Sequence, residues 1–196
     1  MENNIKIKQV TSTKYLGIVF DEQLNWTDQI HQLCKKLAQA CGIIRTIKPF
    51  LNYKTLLSVY YCIVYSHLQY GIIIWGNANK TKLLKLNNLH NKIIKLVKGK
   101  IKRENNPKLE ELTPLLSIDQ IFKLEIGKFM FRYCNKQLPI CFLQYFKTID
   151  SIHNYSTRLS KQNSYFLPRY RLKQSQKLLT YSGAKLWSEI PSDIKI

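Results

Sequence analysis

Carboxylates are scarce in this sequence relative to cations. Twelve Asp and Glu stand against 31 Lys and Arg, a formal charge of +19 on 196 residues. Two-metal and acid–base centres are built from clustered acids, and with no Asp-Asp pair such centres are hard to assemble here. No glycine-rich phosphate loop and no Cys-x-x-Cys occurs either, which removes the phosphate-loop and paired-thiol readings. His31, His67, His90 and His153 are scattered, with no acid spaced to orient them. They suit neither a general base nor a metal ligand, since the one needs an orienting group and the other needs companions. No catalytic residue, no metal and no cofactor is expected.

Cysteine is sparser still. Cys34, Cys41, Cys62, Cys134 and Cys141 are odd in number and fit no tetrahedral metal spacing. They read as buried, reduced thiols, behaving as small apolar residues. With no cleavable signal peptide in the reading, the expected location is intracellular, nucleus or cytoplasm, and not secreted.

What remains is apolar and basic. Hydrophobic residues make up 45 % and aromatics 12 %, enough to build a core and too much for wholesale disorder. Lys outnumbers Arg 25 to 6, as an AT-rich gene would produce. That same bias would raise Asp and Glu, so the excess of base over acid is not a codon effect, and it favours a polyanionic partner.

The longest uncharged stretch, from Thr55 to Asn79, has the length of a membrane span over Leu56–Trp75. Its middle carries Tyr65, Ser66, His67, Gln69 and Tyr70, all costly in hydrocarbon. A buried helix is the expectation, with a membrane span as the competing reading. Before it, Ile5–Val10 alternates apolar and polar, and Lys14–Phe20 is β-rich; two strands joined by a turn at Thr11–Thr13 are expected. From Thr27, as N-cap, Ile30, Leu33, Leu37, Ala40, Ile44 and Ile47 form one helical stripe that stops at Pro49. A second helix over Tyr53–Ile74 and a third over Lys80–Lys98 follow. The third has Leu83, Leu86, Leu89, Ile93 and Leu96 or Val97 inward and Gly99 as its stop. Ser117–Gln120 has the form of a capping box for a helix to about Tyr133. A short helix over Pro139–Phe146 and a final helical turn at Gly183–Trp187 complete the pattern.

Between Gln29 and Arg103 there is no acid, and there are 14 Lys or Arg. On the third helix Lys85, Lys92 and Lys95 lie off the apolar stripe, with Lys82, Lys98, Lys100 and Lys102 flanking. A helix face that is wholly cationic gains nothing from i,i+4 ion pairs and repels itself unless phosphates neutralise it. A solvated face is the plainer alternative. The stretch Ser151–Ser188 is also free of acid and holds Arg158, Arg169 and Arg171 among Tyr155, Tyr165, Phe166, Tyr170 and Tyr181. Arg can fork onto phosphate and an aromatic ring can stack on an unpaired base; alternatively, the rings pack the tail onto the helices.

Lys14 to Ile18, then Leu24-Asn-Trp26 and Ile30, resemble the segment that follows the polymerase palm in non-LTR (LINE-type, jockey-like) retrotransposon reverse transcriptases. Tyr70-Gly71, Trp75-Gly76, Leu86 to Lys95, His153 to Arg158, Pro168-Arg169, Gly183 to Trp187 and Ile190-Pro191 fit the same family in the same order. Gln29 stands where the family often has His, and the zinc knuckle of some relatives is absent. The resemblance implies a C-terminal portion of an RNA-directed DNA polymerase, without its catalytic Asp motif, from a 5′-truncated copy or a longer reading frame.

The expected fold is therefore mainly α. It comprises a primer-grip-like β-hairpin at 1–26, a thumb-like three-helix bundle at 27–104, and a helical and irregular extension at 105–196. The resemblance implies a primer-grip role for Lys14, Tyr15, Leu16 and Gly17. Charge position suggests phosphate contacts at Lys85, Lys92, Lys95 and Lys98, and secondarily at Arg158 and Arg169. The expected partner is an RNA–DNA hybrid or RNA, held through phosphates, with no membrane and no polymerase activity in this chain alone. A non-catalytic relic, or a protein-interaction module that uses the apolar hairpin, is the alternative.

Overall fold

The computed structural model describes residues 9–101, 115–149, 165–191 and 195. The fold is mainly helical, with an N-terminal antiparallel hairpin leading into the helices. The chain forms two compact units, Met1–Ile118 and Asp119–Ile196.

The hairpin pairs β1 (Ser12–Tyr15) with β2 (Ile18–Asp21), with Tyr15 opposite Ile18. The turn is thus Leu16-Gly17, inside the run expected to be a single strand, and not Thr11–Thr13. A two-residue hairpin loop of type I′ has positive φ at both central positions, which matches the strand twist. Leu16 has φ 46° and Gly17 φ 81°. The first of the two expected strands, Ile5–Val10, lies largely outside the described residues.

Helix α1 (Thr27–Ile47) buries Ile30, Leu33, Leu37, Ala40 and Ile44 as its periodicity requires. Its N-cap is Trp26, in the left-handed region with φ 62°, and not Thr27. The connection from β2 is held by Asp21: its Oδ1 accepts from Asn25 N at 2.7 Å, and its carbonyl accepts from Leu24 N at 2.9 Å. Phe20 and Trp26 meet edge to face at 5.4 Å.

The expected long second helix is broken into pieces. It runs as α2 (Tyr53–Tyr60), a π turn (Tyr61–Tyr65) and α3 (Ser66–Gln69), then kinks at Tyr70-Gly71 before α4 (Ile72–Trp75). Its buried residues Tyr60, Val64, Leu68 and Ile72 repeat every four. On a regular α-helix that spacing rotates by about 40° per step, and the wider π turn absorbs the drift. Asn52 caps α2, its side chain accepting from Thr55 N at 2.9 Å.

Helix α5 (Lys80–Ile101) packs along α1 and against α2. It continues through Gly99, so that glycine is not its stop. Leu83, Leu86, His90, Ile93 and Val97 are buried, whereas Leu89 and Leu96, about 60–80° off the Leu86–Ile93–Val97 line, are only half-buried. The bundle core closes on Leu37, Ile44, Tyr53, Leu56, Leu68 and Trp75. Among the described residues, no helix is long and apolar enough to cross a membrane.

The second unit is organised by α6 (Ile118–Cys134) and α7 (Leu179–Glu189), joined to a cluster of rings. Phe146 is its centre, with ring centroids of Tyr133 at 4.9 Å and of Tyr145 and Tyr165 at 5.5 Å each. Gly183 lets α7 approach this ring: a Cβ there would lie 2.9 Å from Met130 Sδ and 3.1 Å from Phe146. Only Ile140–Phe142 of the expected helix at Pro139–Phe146 is helical, as one 3₁₀ turn, and Ile140 is 84 % exposed. The expected last turn is instead an eleven-residue helix. All five cysteines are free, but only Cys34 and Cys41 are buried; Cys62 and Cys141 are exposed and Cys134 half-buried. The thiol expectation thus failed at the positions where the helices turn toward solvent.

Candidate nucleic-acid interface

The buried stripe of α5 fixes where its lysines point. At 3.6 residues per turn, Lys85, Lys92 and Lys95 fall within about 80° of arc, opposite the Leu86–Ile93–Val97 line. All three are exposed. Among the described residues, no ion pair involves them; the pairs seen are Lys123 with Asp119 and Lys128 with Glu125, both on α6. Thr81, Leu84, Asn88 and Leu89 lie among Lys85 and Lys92 and form a shallow open groove along the helix.

Two further lysines on α5 are placed differently. Lys82 turns inward over the start of α1, donating to Thr27 Oγ1 at 2.8 Å and to the Asn25 carbonyl at 3.4 Å. Its charge is spent on fixing the helix to the β2–α1 connection. Lys98 is half-buried and sits at the edge of the exposed arc, near the position of Lys80. Lys102 lies outside the described residues.

The field around α5 is felt inside the bundle. Burial pushes the Cys34 thiol up, and the Lys85 ammonium opposes that rise. His67 is held below the ordinary imidazole value by burial, with the Lys36 charge adding to the effect.

The four residues with a family-implied primer-grip role form the hairpin tip. Lys14, Tyr15, Leu16 and Gly17 are all exposed, Tyr15 by 65 % and Leu16 by 71 %. The tip is nevertheless fixed from below, because the Tyr70 hydroxyl donates to the Leu16 carbonyl. The Tyr70 carbonyl in turn accepts from Trp75 Nε1 at 3.0 Å. Gly71, at φ 63°, leaves room for Ile18, whose Cδ1 any Cβ there would strike. On the other side of β2, the buried amide of Gln29 accepts from Val19 N at 3.0 Å. Ile18 and Val19 point to opposite faces of the strand and both are buried. Several residues on which the family resemblance rests thus act locally, docking the hairpin on the bundle.

Arg169 is exposed, between half-buried Pro168 and Tyr170. Arg158, with His153 and Tyr155, lies outside the described residues. The aromatics of the tail divide their duties. Tyr165 packs into the Phe146 cluster and bonds Cys134 Sγ at 3.2 Å, while Tyr170 leans on Tyr181 at 6.0 Å. Arg169 belongs to the second unit and the lysines of α5 to the first.

The sequence reading missed a buried polar pair. Tyr60 Oη and His90 Nε2 lie 2.9 Å apart in the bundle core, their rings stacked at 6.1 Å. Both are essentially inaccessible. Burial lowers the His90 pKa to about 4 and raises that of Tyr60, so the pair is neutral. The available signal was spacing: His90 falls between Leu86 and Ile93 on the inward stripe. Among the described residues, no three of His, Cys, Asp and Glu gather as a metal site.

Compared with family models, curated proteins and solved structures, the chain finds no match in any of the three.

Proposed function

We propose that this chain is a nucleic-acid-binding module, related to the C-terminal portion of a non-LTR retrotransposon reverse transcriptase, that holds template–primer through its phosphates. One observation carries the reading: α5 presents Lys85, Lys92 and Lys95 on one exposed face, in a stretch of 75 residues without an acid. Such a face gains stability from counter-charge, and phosphates spaced along a backbone supply it without base readout. In the parental enzyme the hairpin tip would lie near the primer end, and catalysis would belong to the palm.

The test is binding to a labelled RNA–DNA hybrid, duplex DNA and single-stranded RNA across a salt series. Neutralising four to six phosphates gives a log–log slope of roughly −3.5 to −5.5 on duplex DNA. Replacing Lys85, Lys92, Lys95 and Lys98 by Gln should flatten it. Unchanged affinity and slope in that variant would sink the assignment.

A second reading is favoured by the hairpin tip, where Tyr15, Leu16 and Tyr70 leave apolar surface exposed on a fixed support. On that reading the chain is a protein-interaction module with no nucleic-acid role. Association at low concentration without nucleic acid, lost on Leu16→Lys, would favour it.

A further inference from the structure

The second unit contains a cavity of about 300 Å³ lined by Tyr145, Phe146, Phe166 and Tyr170, with Pro168, Lys147 and Thr180 completing its lining. Its walls are tied together. Phe166 N donates to the Lys147 carbonyl at 2.8 Å, and Gln176 Nε2 donates to the Tyr170 carbonyl at 3.0 Å. One face of the Tyr145 environment is already taken by edge contacts with Phe142 and Phe146, yet Tyr145 remains 42 % exposed.

The polar edge of the cavity suits an anion. Thr180 stands in the first turn of α7, which has no side-chain cap. The N–H groups of Leu179 and Thr180 have no acceptor among the described residues, since the first bonds of the helix come from Tyr181 and Ser182 to the Leu178 carbonyl. Unpaired first-turn N–H groups and the helix dipole favour phosphate. Lys147 also lines the cavity, and Arg169 adjoins Pro168 and Tyr170 in sequence. From Ser151 to Ser188 the sequence supplies no acid that would repel such a group.

We propose that this cavity takes one unpaired nucleotide of a single strand, its base stacked on the rings and its phosphate at Lys147 and the first turn of α7. A volume near 300 Å³ is at the small end of ligand sites and suits one base with its sugar outside. Rings that stack any base without reading it belong to single-strand recognition, whereas the lysine face of α5 needs no unpaired base. The proposal rests on the nucleic-acid reading above and adds a second, chemically distinct site to it.

The experiment uses the full chain with two labelled probes, a twelve-nucleotide oligo(U) and a DNA duplex of twelve base pairs. Tyr145→Ala should weaken oligo(U) binding about 5- to 100-fold and leave duplex binding within about twofold, while Tyr145→Trp should bind oligo(U) as well as the native chain. Equal losses on both probes, or no loss on either, would overturn the cavity assignment while leaving the lysine face standing. Because a variant can lose its fold, the native chain is also titrated by NMR with uridine monophosphate and with inorganic phosphate. The nucleotide should shift ring protons of Tyr145, Phe166 and Tyr170, and phosphate alone should not. Equal shifts from the two, or none, would reject a nucleotide site. Absence of duplex binding by the native chain would instead reject the proposed function, whatever the nucleotide does.

Discussion

The buried imidazole of His90 makes the bundle acid-sensitive. The imidazole is buried with the Tyr60 hydroxyl as its partner and has its pKa lowered to about 4. Protonation would place a cation in the core, where the stretch Gln29–Arg103 offers no carboxylate. The sign follows from linkage. An unfolded chain titrates its histidine near 6.5 and the folded chain only near 4, so the unfolded state binds more protons between those values. The contribution is fully present above pH 6.5 and is lost as pH falls toward 4. The difference between 6.5 and about 4 corresponds to about 3 kcal/mol. In His90→Gln an amide replaces the ring and cannot titrate. Urea unfolding from pH 7 to pH 4, followed by tryptophan fluorescence in a Trp187→Phe background, reads the bundle through Trp26 and Trp75. The native chain should lose about 3 kcal/mol more than the variant over that range. Parallel curves for the two proteins, or an NMR titration of His90 near pH 6.5, would refute the reasoning.

Other perturbations test the hairpin, the ring cluster and the lysine face. Gly71→Ala forces a side chain into the left-handed region and against Ile18, and should cost the bundle about 1–2 kcal/mol in urea unfolding. Tyr70→Phe removes the donor to the Leu16 carbonyl; a loss of about 0.5–1.5 kcal/mol, with faster amide exchange confined to the hairpin, is expected. Phe146→Ala empties the centre of the second unit and should destabilise that unit by about 3–5 kcal/mol, read from Trp187 fluorescence. On the lysine face, Lys92→Gln should reduce the magnitude of the salt slope on duplex DNA by about 0.9, whereas Lys82→Gln should leave it unchanged and lower thermal stability instead.

Periodic apolar residues were legible from sequence because burial acts on them directly. The stripe Ile30–Ile44 and the inward line of α5 needed only a period of 3.6. What escaped depended on contacts between distant residues. The turn at Leu16-Gly17 places a leucine at positive φ, a conformation unfavourable by about 1–2 kcal/mol on its own. It is held by a hydroxyl 54 residues away, and no local pattern announces that. The kink at Tyr70-Gly71 is likewise set by Ile18 pressing on Gly71, so a run that reads as one helix becomes several. Gly99, a plausible stop by composition, instead lies inside α5, with Lys48 Nζ 3.3 Å from where a Cβ would be.

The candidate interface was legible in the same uneven way, and its electrostatics depend on the difference. Counted along the sequence, six lysines decorate Lys80–Lys98. Lys82 is committed to Thr27 and Asn25, and Lys98 is half-buried at the edge. The contiguous face is therefore Lys85, Lys92 and Lys95. At about 1.5 Å rise per residue, the ten steps from Lys85 to Lys95 span about 15 Å. That is about twice the physiological Debye length, so Lys85 and Lys95 scarcely repel one another, while Lys92 lies less than one Debye length from Lys95. Repulsion is therefore concentrated between Lys92 and Lys95, and a phosphate backbone along the same span of about 15 Å would meet all three. The acid-free sequence and the helical geometry make different demands, one for a counter-charge and one for its spacing, and a phosphate backbone satisfies both where scattered surface acids would satisfy only the first.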